Sequence, residues 1–289
     1  MNERAPPQPP LDPPTELPEQ VAAALREDIG RGDLTATLVP AQRQARGQIV
    51  TREAAVLCGQ PWAEACFRQL DPAVRLMWYA RDGAHLAAGE VLCDIDGPAR
   101  AILSAERTAL NFLQLLSATA TAASRFVAAV AGTECTVLDT RKTLPGLRSA
   151  QKYAVRCGGA ANHRMGLYDS VLIKENHILA AGSIAAALAA ARSLAPGTRI
   201  EVEVESLAEL DAALDAGARY VLLDDFSLQD MAIAVARNRA RARPARLEVS
   251  GSVSLQTIRA IAATGVDYVS VGALTKHVQA VDLSLRLQL

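Results

Sequence analysis

The sequence predicts an α/β protein whose C-terminal half carries a parallel sheet. Three observations predict it. Short apolar segments recur after Gly132: TVLDT (136–140), VLIK (171–174), RIEVEVE (199–205), YVLLDD (220–225), RLEVSG (246–251) and YVSVG (268–272). Most are separated by alanine-rich helical stretches, namely 184–193, 207–216 and 255–263. From 200 to 272 the strands recur about every 20 to 27 residues, which suits β-α-β units with right-handed crossovers. Apolar strands covered on both faces imply parallel pairing. Six or so such units favour a barrel over an open sheet, although the periodicity by itself does not close one.

The elements before Gly132 differ in texture. Seven of the fourteen prolines fall in the first 18 residues, so PPQPPLDPP is read as an extended or disordered tail. A short helix is expected from Pro18, with Val21, Ala24 and Leu25 in its core and Gly30 as its stop. Residues 45–97 look β-rich, with strands in GQIVTREAAVLCG, VRLMWYA and EVLCDIDG. Leu103 to Ala131 reads as a long helix ended by Gly132, with Ala109, Phe112, Leu113 and Leu116 on its apolar face.

Composition bounds the function. The 289 residues suffice for one large or two ordinary domains, and half of them are hydrophobic. The 30 Lys and Arg against 31 Asp and Glu leave a net charge of -1, which gives no bulk attraction for nucleic acid. The longest apolar run, Leu179 to Ala191, is short for a membrane span and is interrupted by Gly182 and Ser183. The N-terminus lacks an apolar signal core, so a cytoplasmic protein with no membrane partner is expected. Cys58, Cys66, Cys93, Cys135 and Cys157 are odd in number and scattered, which favours reduced thiols over structural zinc.

The strand ends carry the chemistry. The segments finish in Asp139-Thr140-Arg141, Lys174, Glu203 with Glu205, Asp224, Ser250-Gly251 and Gly272. Polar residues also end strands simply as turns, but six consecutive cases weaken that explanation, and barrels of this class place active sites at these ends. The charges are segregated as well. Between 141 and 174 stand seven cations (Arg141, Lys142, Arg148, Lys152, Arg156, Arg164, Lys174) and one acid, Asp169. Between 201 and 225 stand eight acids (Glu201, Glu203, Glu205, Glu209, Asp211, Asp215, Asp224, Asp225) and one cation, Arg219. Arg148, Glu209, Asp211 and Asp215 read as members of solvated helix faces. In EVEVE the three glutamates share one strand face, and a glutamate covered there needs a cation, a metal or a ligand hydroxyl. A phosphosugar with magnesium meets both demands. Ser250-Gly251-Ser252 and Gly272-Ala273 offer close backbone approach and amides to phosphate. Arg237, Arg239, Arg241, Arg243 and Arg246 scatter around a helix and read as a solvated face, not an RNA site.

These residues resemble a known family. DTRKTLPGLRSAQKYAVRCGGAANHRMGLYDSVLIKENH (139–177) is similar to quinolinate phosphoribosyltransferases, and REDIGRGDLT (26–35), ERTALNFL (106–113), EVEVES (201–206), LLDDF (222–226), EVSGSV (248–253) and VSVGALT (269–275) match in order. The resemblance spans roughly residues 18 to 277. It implies an N-terminal open-faced α/β sandwich over 18–118, completed by 278–289, and an incomplete α/β barrel of six to seven parallel strands over 119–277, in a homodimer. It also implies phosphoribosyl transfer from phosphoribosyl pyrophosphate to quinolinate with magnesium. Carried over by position, the quinolinate-binding cations are Arg107, Arg141, Lys142, His163, Arg164 and Lys174, with Arg107 reaching the neighbouring subunit's site. The ribose- and metal-side acids are Glu203 and Asp224. Thr140, Ser250, Gly251 and Ser252, and Val271, Gly272 and Ala273 complete the binding loops. Lys142, Lys174, Glu203 and Asp224 are the catalytic candidates. At Ser252 the family pattern expects glycine, and a positive φ would strain serine there.

The implied chemistry suits these groups. Planar guanidiniums grip the carboxylates of a dicarboxylate, and acids stabilise positive charge on a ribose that loses pyrophosphate. The pyridinium formed at C1 is itself an electron sink for decarboxylation, so neither a redox cofactor nor pyridoxal phosphate is expected. Arg107 alone could be a surface helix residue, His163 could orient Arg164 or cap a loop, and His177 reads as structural. Three alternatives stand beside this reading: a Schiff-base lyase or aldolase using Lys174 or Lys142, a non-catalytic phosphosugar-binding barrel, and a molybdenum-associated pyrophosphorylase-like paralogue.

Overall fold

A computed structural model describes residues 11–288. The expected tail over 1–17 therefore lies mostly outside the described residues. The chain divides into two units, each continuous in space but not in sequence.

The first unit comprises the chain up to Thr121, Ser149–Cys157 and the C-terminal segment from Gln279. Its helix α1 (Leu17–Ile29) has proline in its first turn and stops at Gly30 (φ 55°), and it buries Leu17, Val21 and Leu25. Ala24 is only half-buried. Next come β1 (Gln44–Thr51), β2 (Ala55–Val56), α2 (Gln60–Leu70), β3 (Arg75–Trp78), β4 (His85–Leu86) and β5 (Val91–Pro98). The segment read as one strand over 47–59 is thus two strands in two different sheets. The region read as β-rich also holds α2, whose Trp62, Ala63, Cys66 and Phe67 form its buried face. The long helix α3 (Ala99–Ala129) starts four residues before Leu103, the start expected from periodicity. It is followed by β6 (Thr136–Leu138) and α4 (Arg148–Cys157), most of which belongs to the first unit.

The last strand, β12 (Leu283–Gln288), pairs antiparallel with β1 and gives a four-stranded sheet in the order β12-β1-β5-β3. Inside this unit Trp62 stacks at a tilt on Tyr153, with centroids 5.3 Å apart, and donates its indole N–H to Gln20.

The second unit holds β6, β7 (Val171–Ile173), α5 (Glu175–Ala181), α6 (Ile184–Leu194), β8 (Ile200–Val204), α7 (Leu207–Asp215), β9 (Tyr220–Asp224), α8 (Leu228–Arg239), β10 (Arg246–Ser250), α9 (Ile258–Ala263), β11 (Tyr268–Ser270) and α10 (Ala273–Lys276). The six strands pair in parallel in the order β6-β11-β10-β9-β8-β7. This is the expected parallel sheet, and β6 and β7 stand at its two ends. Valine and leucine supply one face of each inner strand: Val202 and Val204, Val221 and Leu223, Leu247 and Val249 are all buried. Three of the helices begin at a serine, α6 after the break that ends α5 and α7 and α8 after strands β8 and β9. Ser183, Ser206 and Ser227 each accept a backbone N–H of their own first turn, at 3.1 to 3.2 Å. Each such cap contributes about 1 kcal/mol. Gly182 and Ser183 break the longest apolar run, and α5 and α6 bend by 93° there. Among the described residues no single helix is long and apolar enough to cross a membrane.

Candidate active site

Parallel register sets the carboxyl ends of β6 to β11 along one edge. Ser250 pairs with Asp224, Ile173 with Val202, and Ser270 with Leu138, so the residues just beyond each strand emerge together. All the predicted site residues except Arg107 lie in this unit. Arg107 is exposed on α3 in the first unit.

Lys174 follows β7 and sends Nζ to both carboxylate oxygens of Glu203, at 2.9 and 2.6 Å. The lysine side chain is 43% exposed and the glutamate 8%, so the pair sits at a rim with one open side. The backbone N–H of Lys174 donates to His177 Nδ1 at 2.9 Å, so His177 caps the first turn of α5. Asp224 ends β9 and accepts the Ser250 hydroxyl. Glu205, read as sharing a strand face with Glu201 and Glu203, lies just past β8 and is exposed, with its N–H donated to Glu209 at 2.7 Å.

The loop after β6 is held from several sides. Thr140 Oγ1 accepts the Lys142 N–H at 3.0 Å, and Lys142 carbonyl oxygen accepts the Thr275 hydroxyl at 2.8 Å. A Cβ on Gly272 would lie 3.0 Å from Lys142 Cδ and 3.5 Å from Thr140 Oγ1, so glycine leaves room for the lysine to pass. Arg148 is the residue that sequence reasoning misplaced. It is half-buried, not part of a solvated face, and its guanidinium donates to Thr143 Oγ1 (3.0 Å), Met165 O (3.2 Å) and Arg141 O (3.4 Å). It thereby ties the loop carrying Arg141 and Lys142 to the loop carrying Arg164. Lys152 and Arg156, counted with the cation cluster, belong instead to α4 in the first unit. Asp169 caps the Arg164 loop by accepting the Met165 N–H at 2.5 Å, and Arg164 donates to Ser170 O at 3.1 Å.

Burial and the neighbouring Arg141 charge make Arg164 less basic than an ordinary arginine. Two guanidiniums that repel each other beside a rim are stabilised by an anion between them. Asp139, wholly buried at the end of β6, accepts from Asn162 Nδ2 (2.6 Å) and from the His163 N–H (2.9 Å). His163 itself points to acids below the rim: its Nε2 is 3.1 Å from Glu201 Oε2 and 3.4 Å from Glu248 Oε1.

The phosphate loops also differ in detail from expectation. Gly251 takes the positive φ (125°), and a Cβ there would lie 2.8 Å from Asp225 Oδ1. Ser252 has no positive φ, so the strain expected of a serine there does not arise; the one positive-φ non-glycine among the described residues is Asp225, at 57°. Helix α9 begins at Ile258, three residues later than 255, so Gly251 and Ser252 lie in a turn and not at a helix start. Val271 donates its N–H to Leu138 O at 2.9 Å, which commits that amide to the sheet. A pocket lined by Asp225, Phe226, Ser250, Ser252 and Thr257 opens beside the ends of β9 and β10.

Comparison with known proteins places the chain in a family. Residues 119–286 match the C-terminal domain of quinolinate phosphoribosyl transferase, and residues 33–117 match its N-terminal domain. The chain belongs to the quinolinate phosphoribosyl transferase family. It is similar to the Mycobacterium leprae protein named nicotinate-nucleotide pyrophosphorylase (carboxylating), with 44% identity over 276 residues, covering 93% of this chain and 96% of the relative. A Bacillus subtilis protein named probable nicotinate-nucleotide pyrophosphorylase (carboxylating) is 40% identical, covering 91% and 90%. The solved nicotinate-nucleotide pyrophosphorylase of Francisella tularensis superposes with a TM-score of 0.92 at 46% identity, covering 96% of this chain and 98% of that one. The family's two domain models meet at residues 117 and 119, whereas spatial partition falls after Thr121 and returns most of α4 and β12 to the first unit.

Proposed function

We propose that this chain transfers the phosphoribosyl group of phosphoribosyl pyrophosphate to quinolinate with loss of CO2, yielding nicotinate mononucleotide and pyrophosphate, a step of NAD biosynthesis. The observation that carries the reading is the gathering of Arg141, Lys142, Arg164 and Lys174 with Glu203 and Asp224 at the carboxyl edge of one parallel sheet. A lone Schiff-base lysine would need desolvation, whereas Lys174 is paired with a carboxylate and partly open.

In this mechanism Arg141 and Arg164 grip the two acceptor carboxylates, and Lys174 leaves Glu203 to join them. Glu203 and Asp224 then face the ribose, where they accept its hydroxyls and stabilise positive charge as the C1–oxygen bond to pyrophosphate breaks. Lys142, lying over Gly272, neutralises the departing pyrophosphate. The pyridine nitrogen bonds to C1 and becomes cationic. The adjacent carbon–carboxylate bond then breaks, its electron pair stays on the ring carbon, and that carbon takes a proton as CO2 leaves. Glu203 and Asp224 offer the hard oxygen donors that magnesium favours, and they would share the ion with pyrophosphate oxygens. When bound, magnesium neutralises charge on the leaving group. The reading includes a cytoplasmic homodimer in which Arg107 reaches the neighbouring subunit's site.

The test is an assay of CO2 and nicotinate mononucleotide from quinolinate and phosphoribosyl pyrophosphate, with nicotinate as the competing acceptor. Quinolinate should be strongly preferred; a preference for nicotinate overturns the substrate, and borohydride trapping of an adduct on Lys174 overturns the mechanism. Mixing Arg107→Ala with Lys174→Ala subunits should restore part of the lost activity, and verified mixed dimers without recovery would remove the shared site.

A further inference from the structure

Below the rim lies a second layer of ionisable groups that the proposed chemistry leaves unused. Glu201 stands two residues before Glu203 in β8, and Glu248 two before Ser250 in β10, so strand alternation puts both on the rim residues' face, one step deeper. Each is 1% exposed. Arg199 lies beside them, 3.5 Å from Glu201 and 3.8 Å from Glu248, with its guanidinium 4.1 Å from the Tyr220 ring centre. Burial and the Glu201 charge push Glu248 well above the usual carboxyl range. Burial also acts on Glu201, but the His163 hydrogen bond and the Arg199 charge outweigh it and hold that carboxyl below its ordinary value.

His163 joins this layer to the rim, and hydrogen-bond chemistry fixes its tautomer. Its Nδ1 accepts the Arg164 backbone N–H at 2.7 Å, so Nδ1 carries no proton. The ring proton is then on Nε2, where Glu201 Oε2 accepts it at 3.1 Å. A metal ion among His163, Glu201 and Glu248 would need the Nε2 lone pair. That would move the proton to Nδ1 and set it against the Arg164 N–H, so the trio reads as a brace and not a metal site.

We infer that Glu201 is a positioning residue for the acceptor: it holds His163 by Nε2, with Glu248 packed 3.4 Å from the same nitrogen, His163 holds the Arg164 backbone by Nδ1, and the Arg164 guanidinium is thereby kept in place for an acceptor carboxylate. The inference rests on the reading of Arg164 as a quinolinate-binding cation. It assigns His163 an indirect part, since both ring nitrogens are engaged within the protein.

The test uses the full-length enzyme. Glu201→Ala should raise KM for quinolinate at least tenfold while KM for phosphoribosyl pyrophosphate stays within twofold. Glu201→Gln keeps an oxygen that accepts the Nε2 proton and should recover most of that loss. In an Arg164→Ala background, Glu201→Ala should add less than twofold. Equal rises in both KM values, or full additivity with Arg164→Ala, would overturn the brace. Should Glu201→Ala fail to fold, 15N spectra of histidine-labelled wild type decide the matter, with the His163 signals assigned from a His163→Asn variant. The Nε2–H tautomer supports the brace, and an Nδ1–H tautomer overturns it whatever the activity. Absence of nicotinate mononucleotide from the wild type is a separate outcome: it overturns the function, and the acceptor role with it, while the tautomer still judges the network.

Discussion

Two glutamates separated by a single valine on β8 lead opposite lives. Glu203, itself 8% exposed, shares its charge with a half-exposed lysine, so an arriving ligand can draw that lysine away. Glu201 is sealed among His163, Arg199 and Glu248, where every charge needs a fixed neighbour. The same residue type at the same strand spacing thus serves reaction at the rim and rigidity below it. Depth within the sheet, and not side-chain chemistry, divides the two roles.

Substitutions at the two depths should separate activity from stability. The largest effect is expected at the rim: Asp224→Asn should lower kcat/KM by roughly 10²- to 10³-fold, with an altered magnesium and phosphoribosyl pyrophosphate dependence and a Tm within a few degrees of wild type. A normal dependence would take Asp224 off the ribose side. Arg148→Ala, which unties the Arg141 and Arg164 loops, should raise KM for quinolinate by about tenfold, the modest loss expected of a positioning contact; unchanged steady-state kinetics would show that those loops hold without it.

The deep layer is better read through pH. The raised Glu248 carboxyl contributes stability that is present below the ordinary glutamate range and is lost as pH rises toward its folded value. The lowered Glu201 carboxyl acts the other way, and its contribution is lost only as pH falls below the ordinary range. Glu248→Gln should therefore gain stability relative to wild type as pH rises, measured by denaturant unfolding, and a constant difference across pH would contradict the buried proton. The smallest effect belongs to the outer surface: Arg237→Ala breaks an exposed pair with Asp211 and should cost less than about 1 kcal/mol. A larger loss would mean that the outer helices matter to the sheet more than their exposure implies.

Much of this molecule was legible before folding. The parallel sheet followed from apolar segments at βα spacing, and the segregation of cations from acids pointed to a rim with two sides. Glu203, Asp224, Lys174 and the loops at 250 and 272 fall at strand ends because strand ends are where a sequence turns from valine and leucine to polar residues. The misreadings share one cause. Arg148 looked like a helix-surface cation because local spacing carries no sign of the loops at 141 and 165 that fold over it. Lys152 and Arg156 looked like members of the same cluster because they are near it in sequence, yet α4 packs into the other unit. Helix α2 was hidden by a short, mixed pattern between strands.

The sequence by itself determined the strand segments of the parallel sheet and which side chains within a strand alternate onto one face, because alternation is a local property of an extended chain. Only the tertiary structure decided how deep each of those side chains lies and which partner it meets. Depth sets the dielectric around a charge, and it is the dielectric that makes Glu203 exchangeable and Glu201 fixed.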